Sequence, residues 1–159
     1  MRAANLSQLL AGCLFTLLLA PQSGITQVPA ASSTDDPDAR PPVTAIDLRI
    51  VRRARQLLDS SDKWNRADNR VCPPDAKTFS LYCALARATI EIGGKAEHRG
   101  AALQETRFVI DEVAADRSYE HRLMDYNNDP KTTFADIQKV LQITEGLVTL
   151  RLRANGVRP

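Results

Sequence analysis

The sequence predicts an all-α protein: a single compact domain of four or five helices behind a cleaved signal peptide and a Pro/Ser/Asp-rich linker. Three observations carry that prediction. Apolar residues recur at helical spacing in four separate segments, and no segment alternates with the period of two that a half-buried strand needs. Helix punctuation brackets these segments, with Thr44 and Asp47 before the first, Gly93-Gly94 after the second, and Thr133 and Asp136 before the last. Ahead of them stand a short apolar run and a stretch with no large apolar side chain.

The chain opens with Arg2 and then LLAGCLFTLLLA from Leu9 to Ala20. Twelve apolar positions suit the core of a signal peptide and fall short of the roughly 20 needed to span a bilayer. The small residues that follow allow cleavage after Gly24 or as late as Ala30, so residues 1–30 are assigned to the leader. Leu10-Ala11-Gly12-Cys13 resembles a lipoprotein-processing box, but a cut there would leave FTLLLA on the product. A mature chain beginning between Ile25 and Ala31, without lipid, is expected, and it should be exported to the periplasm or beyond. Residues 31–42 contain TDDPDARPP and cannot bury a core. Residues 43–153 form the domain and 154–159 a tail.

The whole chain has 21 basic and 19 acidic residues. Only Arg2 leaves with the leader, which gives 20 against 19, or +1. That balance recruits neither nucleic acid nor membrane, no later segment reads as a transmembrane span, and no motif calls for a cofactor. Cys72 and Cys83 remain after Cys13 is lost. An even number in an exported chain favours a Cys72 to Cys83 disulfide, the alternative being Cys83 as a small buried residue of a helix.

Within the domain, Thr44 caps the first helix, Asp47 completes the box, and Val43 meets Leu48 as a hydrophobic staple. Ile50, Val51, Ala54, Leu57 and Leu58 form its stripe, while Arg49, Arg52, Arg53 and Arg55 read as a solvated face. Trp64 follows in SSDKWNRADNRVCPPDAK, where it should anchor a long polar loop to the core. Phe79 to Ile92 is apolar around most of its circumference and reads as the central helix. From Gly100 to Ala115, Ala102, Leu103, Thr106, Val109, Ile110 and Val113 give another stripe. A short helix is expected from Ser118. The last helix begins at Thr133 and buries Phe134, Ile137, Leu141, Thr144 and Val148.

The candidate functional residues gather in YEHRLMDYNNDPKTT, residues 119–133. Both histidines sit in Glu-His-Arg tripeptides, Glu97-His98-Arg99 and Glu120-His121-Arg122, which read as local ion pairs because no zinc-binding spacing accompanies them. Ser118, His121 and Asp125 would share one face of a helix and suggest a hydrolase, although no Gly-x-Ser-x-Gly turn is present. Asp125, Asn127 and Asp129 fall at alternate places of a calcium loop that ends at Asp136. Its sixth place, however, is Pro130 where glycine is required. Neither catalysis nor metal binding is therefore assigned. Arg122, Tyr126, Asn127 and Asn128 combine a guanidinium, an aromatic ring and two amides, the types enriched where proteins recognise one another. They are the expected contact surface for a protein partner.

TyrCysAlaLeuAla at 82–86 and TyrAsnAsnAspProLysThrThr at 126–133 resemble a family of small, uncharacterised bacterial helical domains. Members show a Trp-Cys-Ala-Leu-Gly-Ala helix and a Trp-Asn-Asp stretch before a threonine-capped last helix. Cys83, Ala84, Leu85, Asn127, Pro130 and Thr133 fit the pattern over about Leu48 to Leu150. Tyr126 replaces the tryptophan and Asn128 the aspartate. The resemblance implies the helical fold and no activity. The expected function is an exported binding or interaction module of the cell envelope or extracellular space. The alternative is a small hydrolase or metal-dependent enzyme using His98, His121 and Asp125.

Overall fold

The computed structural model describes residues 40–158. They form five helices: α1 (Ala45–Leu57), α2 (Leu81–Gly93), α3 (Ala101–Val113), α4 (Arg122–Asn128) and α5 (Phe134–Ala154). A single 3-10 turn covers Ser61–Lys63. Among the described residues there is no strand, only an isolated bridge between Trp64 and Phe79. The expected leader and residues 31–39 of the linker lie outside the described residues.

α1 starts as its sequence dictates. Asp47 Oδ2 accepts from Thr44 N at 2.8 Å and from Thr44 Oγ1 at 2.7 Å, and Val43 and Leu48 share one buried cluster with Ala101, Val148 and Leu152. Asp47 has a second duty. Its Oδ1 accepts from Ala102 N at 3.1 Å, supplying the first turn of α3 with an acceptor that its N-cap, Gly100, lacks. Arg49 and Arg52 of α1 are exposed, as expected of a solvated face, and Arg53 and Arg55 are half-buried. Arg52 and Arg55 converge on Glu145 of α5 at 2.8 and 2.5 Å, and Arg53 reaches Glu91 of α2 at 2.6 Å.

α2 begins two residues later than the sequence suggested. Phe79 is held extended because its N donates to Lys63 O at 2.7 Å and its O accepts from Asn65 N at 2.9 Å. Ser80 then caps the helix through Cys83 N at 3.1 Å, and Gly94, at φ 77°, closes it in the left-handed region. Nor is α2 the hub of the bundle. It packs mainly on α1 and α4, whereas α1 touches α2, α3 and α5. Part of its apolar circumference is covered by the loop before it, where Cys72 and Ala76 pack on the core and Cys72 is bonded to Cys83 with Cα atoms 5.3 Å apart.

α4 starts at Arg122, with His121 and not Ser118 at its N-cap. α5 repeats the design of α1: Asp136 Oδ2 accepts from Thr133 N at 2.9 Å and from Thr133 Oγ1 at 2.7 Å, while Thr133 Oγ1 accepts from Asp136 N at 3.3 Å. The main core joins all five helices through side chains such as Val51, Leu85, Ile110, Leu123 and Leu141. Each fully buried Leu or Ile contributes about 2 kcal/mol of burial free energy. The ordered contacts begin upstream of Val43. Arg40 reaches the fully buried Glu105 of α3 at 3.1 Å, Arg151 of α5 pairs with the same carboxylate, and Arg151 Nη2 donates to Pro41 O at 3.1 Å.

Candidate functional site

α2 and α3 barely touch each other, yet each packs on α4. The gap between them is a cleft of about 360 Å³ with the first turn of α4 along one side. Its walls come from five segments. Arg70 enters from the loop before α2, Tyr82 from the first turn of α2, and His98 and Arg99 from the connection between α2 and α3. Gln104 and Arg107 come from α3, and Glu120, His121 and Arg122 from the approach to α4. Four guanidiniums and one carboxylate therefore line one opening.

Arg70 is placed by an unusual amount of local structure for a loop residue. Its backbone sits at φ 63°, a left-handed conformation rare for a side chain of this size. The Asp68 carboxylate holds it there by accepting from Arg70 N at 2.7 Å. Asp68 in turn is clamped by Asn128, whose Oδ1 accepts from Asp68 N at 2.7 Å and whose Nδ2 donates to Asp68 O at 2.8 Å. Two residues on, Cys72 ties the loop covalently to α2. The Arg70 guanidinium then reaches His121, with Nη1 and Nε2 3.4 Å apart. Because a guanidinium only donates, the imidazole nitrogen accepts.

The second histidine faces α2. His98 Nδ1 lies 2.9 Å from the Tyr82 hydroxyl and the two rings stack, with centroids 6.1 Å apart and planes 19° from parallel. Arg107 Nη2 donates to His98 O at 3.1 Å, and Nη1 bonds to Gln104 Oε1. Both partners are uncharged. Burial, followed by the nearby positive charge of Arg122 with Arg99 and Arg70 adding to it, pushes the Arg107 pKa down to about 10, against an opposing pull from Tyr82. Arg122 itself bonds Asp111 at 2.7 Å.

The residues singled out by sequence divide between this cleft and the core. His98, His121 and Arg122 line the cleft, so the two Glu-His-Arg tripeptides meet in space, and both histidines make their contacts across elements. Asp125 is not among the lining side chains; its carboxylate accepts from His121 N at 2.7 Å and so steadies the start of α4. Ser118 is exposed and precedes the helix, so Ser118, His121 and Asp125 do not share a helical face. Tyr126 and Asn127 are 2% and 0% exposed, and hence Arg122, Tyr126, Asn127 and Asn128 do not make one outward-facing patch. Asn127 instead accepts from Trp64 Nε1 at 2.8 Å and from Leu81 N at 3.0 Å, and donates to Asn65 O and Arg66 O, both at 3.1 Å. This is how Trp64 anchors its loop.

The calcium-loop residues are similarly engaged. Asp129 Oδ2 accepts from Tyr119 at 2.6 Å and Arg117 at 3.1 Å, its Oδ1 accepts from Lys131 N at 2.8 Å, and these bonds, Tyr119 first, hold its carboxyl down at about 2. Asp136 is spent on Thr133. Among the described residues, no three His, Cys, Asp or Glu side chains converge so as to hold a metal ion. Sequence reasoning missed Arg70, Tyr82, Arg99, Gln104 and Arg107. All five lie outside residues 119–133, and the near-neutral total charge conceals their convergence.

Fold and cleft together define a small helical domain with an arginine-lined opening between its second, third and fourth helices. The chain belongs to a family of unknown function, DUF6197, whose pattern it matches over residues 24–146. No curated protein and no solved structure matches it. Membership accords with the resemblance drawn from the Cys-Ala-Leu helix and the Thr133-capped helix, and the all-helical fold agrees with what that resemblance implied.

Proposed function

We propose that the protein is an exported binding module that recognises an anionic group of its ligand or partner in the cleft walled by Arg70, Arg99, Arg107 and Arg122. The observation that carries this reading is the convergence of four guanidiniums against one lining carboxylate, Glu120. Like charges brought together raise the energy of the empty site, and an anion relieves that repulsion. Guanidinium forks also match carboxylate and phosphate geometry better than an ammonium does. Export is supported by the Cys72 to Cys83 disulfide, a bond that persists in oxidising compartments, and by the apolar run at 9–20. Intact mass of the exported protein should place its first residue between Ile25 and Ala31, without lipid. The binding reading is tested by calorimetric titration with inorganic phosphate at low ionic strength. Saturable binding that weakens in Arg107→Gln is expected. Absence of saturation by phosphate, sulfate and carboxylates alike would remove the reading.

Hydrolysis is the second reading, favoured by one observation: His98 and His121 line the same cleft, where imidazoles can move protons to and from a bound ester. Turnover of 4-nitrophenyl phosphate that disappears in both His98→Asn and His121→Asn would support it, and equal background rates in all three proteins would end it.

A further inference from the structure

The charge inventory of the cleft says more about its ligand than the sign alone. Of the four guanidiniums, Arg122 is bonded to Asp111 at 2.7 Å, and Glu120 supplies one lining carboxylate. Arg70 and Arg107 differ from Arg122, because their hydrogen-bond partners are His121 Nε2 in one case and Gln104 Oε1 with His98 O in the other, all uncharged, so two positive charges face the cleft without a bonded carboxylate. Each guanidinium has five N–H donors in a planar fork. One is engaged on Arg70 and two on Arg107, which leaves enough on both for a tetrahedral oxyanion. The cleft's 360 Å³ lies at the lower end of small-molecule sites, roughly 300 to 1,000 Å³, and exceeds by several-fold what one small ion fills. Its remaining wall includes Leu123, Met124 and the stacked Tyr82, surfaces for an apolar or aromatic group.

We infer that the cleft takes a phosphomonoester, with Arg70 and Arg107 clasping its dianionic phosphate and the organic part lying along Tyr82 and Met124. The inference rests on the anion-binding reading above and narrows it to a doubly charged head with an organic substituent. A diester keeps the tetrahedral shape but carries one charge. A carboxylate keeps neither the shape nor the second charge.

The test titrates the oxidised protein at pH 8 and constant ionic strength, where a phosphomonoester is fully dianionic because its second pKa is about 6. The probes are phenyl phosphate, methyl phenyl phosphate, benzoate and inorganic phosphate. Phenyl phosphate should bind at least about tenfold more tightly than the diester or benzoate, and more tightly than inorganic phosphate. It should lose at least about tenfold in Arg107→Gln and in Arg70→Gln. Arg70 lies on the exposed loop, so its variant tests the site even if Arg107→Gln fails to fold. Equal binding of the diester or benzoate would overturn the dianion match while leaving anion recognition standing. Inorganic phosphate binding as tightly as the ester would overturn the organic subsite. Unchanged affinity in Arg70→Gln would remove that residue from the clasp. If none of the four probes binds, the parent reading falls as well.

Discussion

Asp129 and Asn127 show how single polar side chains hold the segment that the sequence marks as its richest. Asp129 collects a phenol, a guanidinium and a backbone N–H, and its folded pKa of about 2 lies below the ordinary aspartate value of about 3.9. The unfolded chain therefore binds the proton first. The stability from this carboxylate is complete above about pH 4 and is lost as pH falls towards 2. Asp136, held down by Thr133, acts in the same direction. Asp129→Asn should flatten the fall in urea midpoint between about pH 4 and pH 2, and parallel acid limbs for the two proteins would refute the assignment. Asn127 is a stronger case because it is fully buried. Asn127→Ala strands Trp64 Nε1 and Leu81 N, and two unmet donors cost about 3 kcal/mol, or a fall in Tm of about 12 °C. A shift below about 3 °C would mean that the network repairs itself. Both residues were legible as important, but the full burial of Asn127 was not. Their polar identity suggested a surface, and only the position of Trp64 across the fold turns Asn127 into an interior acceptor.

Elements were legible where local chemistry decides them. Thr44 with Asp47 and Thr133 with Asp136 set their helix starts through contacts three residues apart, and Gly94 ends α2 through its own φ. The elements that moved were those decided at a distance. α2 gave up Phe79 because Lys63 and Asn65 bond it, and α4 starts at Arg122 because Asp125 reaches back to His121 N. For α5 the cap makes a quantitative claim. Thr133→Ala removes the acceptor for Asp136 N and should cost about 1 kcal/mol, lowering Tm by about 4 °C. Millimolar calcium should leave Tm unchanged in both proteins, since Asp136 is committed to the cap. A calcium-dependent rise abolished by Asp125→Ala would reopen the calcium loop.

At the scale of the whole molecule, stability and the cleft share one strut. The sequence indicated that Cys72 and Cys83 would pair, and it flagged both histidines, but it gave no sign that the bond positions a cleft residue, because Arg70 meets His121 only after 50 intervening residues have folded. The disulfide closes a short loop, its cysteines 11 positions apart, for which chain entropy gives about 3 kcal/mol. Pro73 and Pro74 already stiffen that loop, so the loss on removing the bond should be nearer 2 kcal/mol. The same loop carries Arg70, whose left-handed backbone is held by Asp68 on one side and lies two residues from Cys72 on the other. Releasing the bond frees the C-terminal side of that hold while the Asn128 clamp on Asp68 remains. Cys72→Ser with Cys83→Ser should therefore lower Tm by about 8 °C and also weaken phosphate binding several-fold at a temperature where the variant is fully folded. Thr133→Ala supplies the control, since it lowers Tm from a site outside the cleft and should leave phosphate affinity unchanged. If the cysteine variant lost stability but bound phosphate as well as the parent, Asn128 and Asp68 alone would be fixing Arg70, and the disulfide would serve the fold without serving the site.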